Sequence, residues 1–143
     1  MNGLNPAAMN IKTSYYRNGN VERRMYSLNN KRHRLNGPAY ESFYSDGTPE
    51  YRIWSQNGLR HRLDGPAYEH FNPNGALEYH LWYQNGLRHR LDGPAVEHFD
   101  FFGKRIFVGY LLNGKRYSEE EHKRQIALLK LTAQTADAGS VLL

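Results

Sequence analysis

The chain repeats itself every 28 residues. The stretch from Trp54 to Phe71 returns almost unchanged from Trp82 to Phe99, a looser copy starts at Tyr26, and a truncated one starts at Tyr110. Gly19, Gly47, Gly75 and Gly103 are equivalent, as are Tyr26, Trp54, Trp82 and Tyr110. No single motif restricts the fold as much as this period. A unit of such length buries its apolar residues only by stacking on its neighbours, which predicts a repeat scaffold.

At 143 residues the chain is one domain, long enough to bury a substantial share of its surface. Mean hydropathy is −0.81, too polar for a thick core and suited to a thin sheet with a wet face. Eleven tyrosines and two tryptophans argue against disorder. The absence of cysteine excludes disulfides and thiolate metal sites. No basic stretch followed by an apolar one opens the sequence, and no apolar run has the length of a membrane span, so the expectation is a cytoplasmic protein without membrane contact. A net charge of +5 favours an acidic partner or nucleic acid unless the charges pair internally.

Two turn signals punctuate each unit. Asn57-Gly58, Asn85-Gly86 and Asn113-Gly114 are Asn-Gly hairpin turns, because type I′ turns need positive φ at both central residues. The second signal is Asp46-Gly47 and Asn74-Gly75, degraded to Phe102-Gly103 in the last unit. The segments between are rich in Tyr, Phe, Trp and Ile and read as strands, about two per unit, advancing the sheet by roughly 10 Å. Pro66 in Asp64-Gly65-Pro66 predicts a bulge or bend. Simple alternation puts Tyr51, Ile53, Leu59, His61 and Leu63 on one face and Glu50, Arg52, Trp54, Arg60 and Arg62 on the other. In the next unit Tyr79, Leu81, Leu87, His89 and Leu91 oppose Glu78, His80, Trp82, Arg88 and Arg90.

The last segment changes character. Ser118-Glu119-Glu120-Glu121 fits a capping box opening a helix over 118–134, with Ile126, Leu129 and Ala133 on one stripe and Leu128 and Leu131 on another. A helix apolar on two sides is expected to cap the sheet through one and to meet a partner or a second copy through the other. Residues 135–143 read as a disordered tail and 1–14 as an irregular lead-in to a β-repeat domain over 15–117, with units starting near 26, 54, 82 and 110. The expected fold class is therefore mostly β: an elongated antiparallel sheet of stacked hairpins with a C-terminal helix.

The pattern Asn-Gly-x-x-His-Arg-x-Asp-Gly-Pro-Ala resembles repeat proteins of bacteriophages and large DNA viruses that are described as variants of the MORN (membrane occupation and recognition nexus) repeat. The similarity spans roughly Tyr15 to Arg124, including the closing Asn113-Gly114-Lys115-Arg116-Tyr117 segment. It implies stacked hairpins used for protein or lipid contact, and a viral or phage origin. The period here is longer than the standard MORN unit and the Tyr-x-Gly-x-Trp spacing is absent, so the lipid association does not carry over.

Several constellations invite a chemical reading. His61 and His89, with Asp64 and Asp92, resemble acid–base groups, but they recur once per unit at intervals of about 10 Å, too far apart to share one substrate atom. A structural role fits better: Asp at the turn, Arg pairing across strands, His with a satisfied nitrogen. Metal binding needs three or four convergent ligands, which the seven histidines do not offer by spacing. Arg60, Arg62, Arg88 and Arg90 beside Trp54 and Trp82 suggest a surface for single-stranded nucleic acid, against a lattice of cation–π contacts and ion pairs with the interleaved glutamates. Phe101 and Phe102 replace polar turn residues, either as an exposed hot spot or as the docking ground of the helix.

These readings converge on a non-enzymatic interaction module without cofactor. Its concrete form is a small phage or viral protein that binds, modulates and in the sharpest version inhibits a host protein such as a defence factor. The partner would present an acidic surface to Trp54, Trp82, Arg60, Arg62, Arg88, Arg90, Phe101 and Phe102. Ile126, Leu128, Leu129 and Leu131 read as oligomer or cap contacts, a homodimer through the helix being compatible with this module, while nucleic-acid binding and a structural part of a virion stand as alternatives.

Overall fold

The computed structural model describes residues 8–140. Its elements are β1 (Asn10–Tyr15), β2 (Val21–Leu28), β3 (Lys31–Arg32), β4 (Tyr40–Phe43), β5 (Pro49–Ile53), β6 (Ser55–Gln56), β7 (Leu59–Arg60), β8 (Tyr68–Phe71), β9 (Leu77–Leu81), β10 (Tyr83–Gln84), β11 (Leu87–Arg88), β12 (Val96–Phe99), β13 (Arg105–Leu112), β14 (Lys115–Tyr117) and α1 (Glu119–Ser140). One antiparallel sheet runs in chain order, β1-β2-β4-β5-β8-β9-β12-β13-β14, with β3 paired to β2. The chain is thus mostly β with one helix at its C-terminal end.

The Asn-Gly turns take the expected conformation, with φ of 51° at Asn57 and 81° at Gly58. The Asn57 and Asn85 hairpins do not, however, continue the main sheet, whereas the Asn113 hairpin, β13–β14, ends it. β6–β7 and β10–β11 are separate two-stranded ladders, and the chain returns to the sheet only at Tyr68 and Val96. Pro66 and Pro94 lack the N–H a continuous strand would need.

The simple alternation of faces also requires correction. Ser42 pairs with Tyr51 and Phe43 with Pro49, which leaves Glu50 as an extra residue; Glu78 is extra in the same way between the His70–Tyr79 and Phe71–Leu77 pairs. Glu22 and Ile106 hold the same place beside β1 and β12. Such a bulge reverses the direction of a side chain. Glu50 consequently hydrogen-bonds Ser42 Oγ at 3.1 Å, on the Tyr51 face, and Glu78 lies 2.7 Å from His70 Nδ1.

The core is thin. Ala39, Ala67 and Ala95 are fully buried, and Ile53, Tyr83 and Leu112 nearly so. Each buried alanine lies between backbones: Ala67 N donates to Leu81 O and its carbonyl accepts from Trp54 N, both at 2.9 Å.

Both ends are more ordered than the sequence reading holds. Where 1–14 was expected to be irregular, Asn10–Tyr15 forms β1 and pairs with β2 from Asn10↔Ser27 to Ser14↔Arg23. Where 135–143 was expected to be disordered, α1 continues to Ser140, carried by helix formers such as Ala133, Gln134, Ala136 and Ala138. Residues 1–7 and 141–143 lie outside the described residues. The capping box forms: Ser118 N donates to Glu121 Oε2 at 2.9 Å, and Glu121 N to Ser118 Oγ at 3.2 Å. His122 is buried and its Nε2–H donates to Arg90 O at 2.8 Å, which fixes the first turn of α1 to the loop between β11 and β12.

Candidate interaction site

The arginines at positions 28 apart are internal struts. The Arg62 guanidinium lies 4.0 Å from the Trp54 ring, and Arg62 hydrogen-bonds Asp64 Oδ1 at 3.0 Å and Pro66 O at 3.1 Å. Arg90 repeats this at 3.8 Å from Trp82, with Asp92 at 2.9 Å, Pro94 O at 3.2 Å and Glu97 at 3.4 Å. Arg34 stacks at 4.0 Å on Tyr26 and bonds Pro38 O. The hydrogen bonds from Arg62 and Arg90 hold the Asp64 and Asp92 carboxyls below the ordinary range. A Cβ on Gly65 would come within 2.6 Å of Arg62 Cζ, so any side chain there would have to displace the guanidinium from its place.

Arg60 and Arg62 do not share a face. Arg60 lies 5.2 Å from both the Tyr68 and the Tyr83 ring and bonds Tyr83 Oη at 3.2 Å, as Arg88 does. Tyr68 pairs with Ile53, which places Arg60 against the tyrosine face. Burial pushes the Tyr68 phenol up to about 12, so Arg60 meets a neutral ring. The six residues expected to form one Arg–Trp surface are therefore divided between faces and engaged in holding the loops.

Across the other face runs a charged row, Glu41–Arg52–Glu69–His80–Glu97, in register. Arg52 stands 3.9 Å from Glu69, His80 3.8 Å from Glu97, and Arg105 3.1 Å from Glu97. Burial raises the Glu69 carboxyl against the pull of Arg62 and Arg52. On the tyrosine face, Tyr51 stacks on His70 and Tyr79 on His98, each at 4.3 Å.

The repeated histidines link successive units. Nδ1 of His33, His61 and His89 each accepts the backbone N–H of Asn57, Asn85 or Asn113 at 3.0 Å, opening the next Asn-Gly turn. This explains the recurring His: it accepts a hydrogen bond at a turn that the backbone cannot satisfy alone. Burial first, and then the His122 charge, lowers the pKa of His89; burial likewise lowers that of His80. A histidine held neutral in the fold binds fewer protons than in the unfolded chain. Stability is then full above the ordinary imidazole value of 6.5 and falls as the pH drops through it toward the lowered folded value. Urea unfolding at stepped pH is expected to show this loss beginning near 6.5, above the carboxylate range. A flat profile down to about 5 would contradict it.

The last unit departs from the others. At the second turn, Asn18, Asp46 and Asn74 each accept a backbone N–H with the side-chain oxygen, from Asn20, Thr48 and Ala76. Phe102 stands at that place and has no acceptor. Asp100 takes over, its Oδ1 receiving Phe102 N and Lys104 N at 2.9 Å. The turn survives and the ring is released from it. Phe102 is 91% exposed and Phe101 59%, the rings meeting edge-on at 5.6 Å, with Ile106 and Phe107 also exposed. At these exposures the pair is not the docking ground of the helix. Ile106 and Phe107 belong to the same stretch in which the repeat breaks, and their exposure adds them to the patch of Phe101 and Phe102.

The helix instead faces the Leu91–Pro94 loop between β11 and β12. Ile126, Leu129, Lys130 and Ala133 border a shallow hollow of about 340 Å³ against Leu91 and Asp92. Leu128, Leu129 and Leu131 are all exposed, so the stripe expected to cap the sheet is only partly covered. Among the described residues no three His, Asp or Glu side chains converge as metal ligands, and no helix is long and apolar enough to cross a membrane. No protein-family model, curated protein or solved structure matches the chain.

Proposed function

We propose that the chain is a non-enzymatic protein-interaction module whose contact patch centres on Phe101 and Phe102. The observation that carries this reading is an exposed aromatic pair in a turn that Asp100 rebuilds without it. Adjacent apolar side chains that stay exposed at a well-formed turn suit a binding hot spot, and a preformed turn loses little entropy on association. Ile106 and Phe107 extend the patch; Lys104 and Arg116 border it with positive charge and favour a partner with an acidic rim. In its concrete form this is a small phage or viral protein that binds and modulates a host protein, inhibition of a defence factor being one version. That origin rests on the resemblance of the repeat alone. The engagement of Arg62 and Arg90 with Trp54 and Trp82 favours protein over nucleic acid as the partner.

The double substitution Phe101→Ser and Phe102→Ser is expected to weaken partner capture by about tenfold or more. The urea midpoint should stay close to that of the native chain. A double variant that unfolds would assign the pair to the core, and undiminished capture would move the contact elsewhere; either result overturns this reading.

A further inference from the structure

We propose that copies of this chain associate head to tail, the outer edge of β1 in one copy pairing with the outer edge of β13 in another. Both edges are open. β13 pairs with β12 over Arg105–Gly109 and with β14 only from Tyr110 onward; among the described residues no strand lies beyond Arg105–Gly109. β1 pairs with β2 on one side, and among the described residues nothing pairs with its other side. An unpaired edge is a template for a further strand.

The repeat supplies the register. In the 28-residue frame, β1 stands where β4, β8 and β12 stand, and β13 stands where β5 and β9 stand. The interior pairing of β12 with β9 matches Val96 to Leu81, Glu97 to His80 and His98 to Tyr79. Carried over by whole units, it matches Lys12 to Gly109, Thr13 to Val108 and Ser14 to Phe107 between copies. Each edge is a half-unit in the frame that the other would complete.

Side-chain chemistry at the edges selects a second copy over an arbitrary strand. Every interior rung of the charged row sets a glutamate against a base, as Glu41 with Arg52, Glu69 with His80 and Glu97 with His80. At the two open ends both charges are gone: Thr13 stands in the place of the glutamates and Val108 in the place of Arg52 and His80. Thr13 laid on the open side of Val108 makes a cross-strand pair of β-branched residues, with no charge left over on either strand. Beside Val108 and Gly109 a cleft is lined by Tyr110, Arg116, Tyr117, Ser118, Glu119 and Glu121, and the derived register carries Lys12 to its mouth, where two carboxylates stand with one guanidinium. Association of this kind is heterologous and does not close by itself, so mass grows with concentration. It rests on strand pairing and not on Phe101 and Phe102, though it shares Ile106 and Phe107 of β13 with the patch proposed above.

The absence of cysteine allows a direct test. Full-length Thr13→Cys and Val108→Cys proteins, each folded by circular dichroism, are mixed and oxidised. The expected result is a disulfide-linked heterodimer formed about tenfold faster than from Ser14→Cys mixed with Val108→Cys, whose thiols lie on opposite faces of the shared sheet. Sedimentation of the unmodified chain should show mass rising with concentration. Equal cross-linking of the two mixtures, or a chain that stays monomeric, would overturn the proposal.

Discussion

Replacing Arg90 with alanine is expected to destabilise the fold by about 3 kcal/mol, because it leaves a buried carboxylate short of its donor. The guanidinium covers Trp82, bonds Asp92 and Pro94 O, and lies 3.4 Å from Glu97. The Glu97 side chain is only 12% exposed, and without Arg90 it keeps only Arg105 and His80 nearby. Arg105 reaches the same carboxylate from a position 52% exposed, so Arg105→Ala should cost less than about 1 kcal/mol. The contrast separates a strut from a surface ion pair. Urea denaturation of the two variants checks it, and equal losses would mean that the stacked arginines do not hold the loops.

Ala67→Leu is the second large effect, again about 3 kcal/mol, from overpacking. Ala67 is fully buried, with its N–H and carbonyl bonded to strands on either side. Three added carbons have no room unless β5 and β9 separate, and separation stretches both of those bonds. Leu63→Ala, at a residue 72% exposed in the same loop region, should change stability by less than about 0.5 kcal/mol. If Ala67→Leu were tolerated as well as Leu63→Ala, the thin alanine core would not be what holds neighbouring strands together.

The parts of the fold legible in the sequence are those fixed by local chemistry. Asn57-Gly58 announces its turn through the positive φ it tolerates, and Ser118 with Glu121 announces a helix start because the two side chains satisfy each other's backbone donors. What escaped depends on neighbours in space. Counting alternate residues from Trp54 back to Glu50 fails by one at the bulge, and Glu50 has nothing in its chemistry to reveal that it is the extra residue. β1 is polar at Lys12, Thr13 and Ser14 and becomes a strand because β2 offers it an edge. The candidate site was half visible. Phe101 and Phe102 stand out in a turn, but an aromatic there reads the same whether it docks a helix or faces water. The substitution of Asp100 for the missing acceptor at Phe102 distinguishes the two.

The most direct test of an interaction module built on Phe101 and Phe102 is capture from bacterial lysate with the tagged chain, split into nuclease-treated and untreated halves, beside the Phe101→Ser, Phe102→Ser double variant. The account predicts a stoichiometric protein that survives nuclease and is lost with the double variant. Capture that disappears with nuclease, and persists in the double variant, would make the chain a nucleic-acid binder and contradict it.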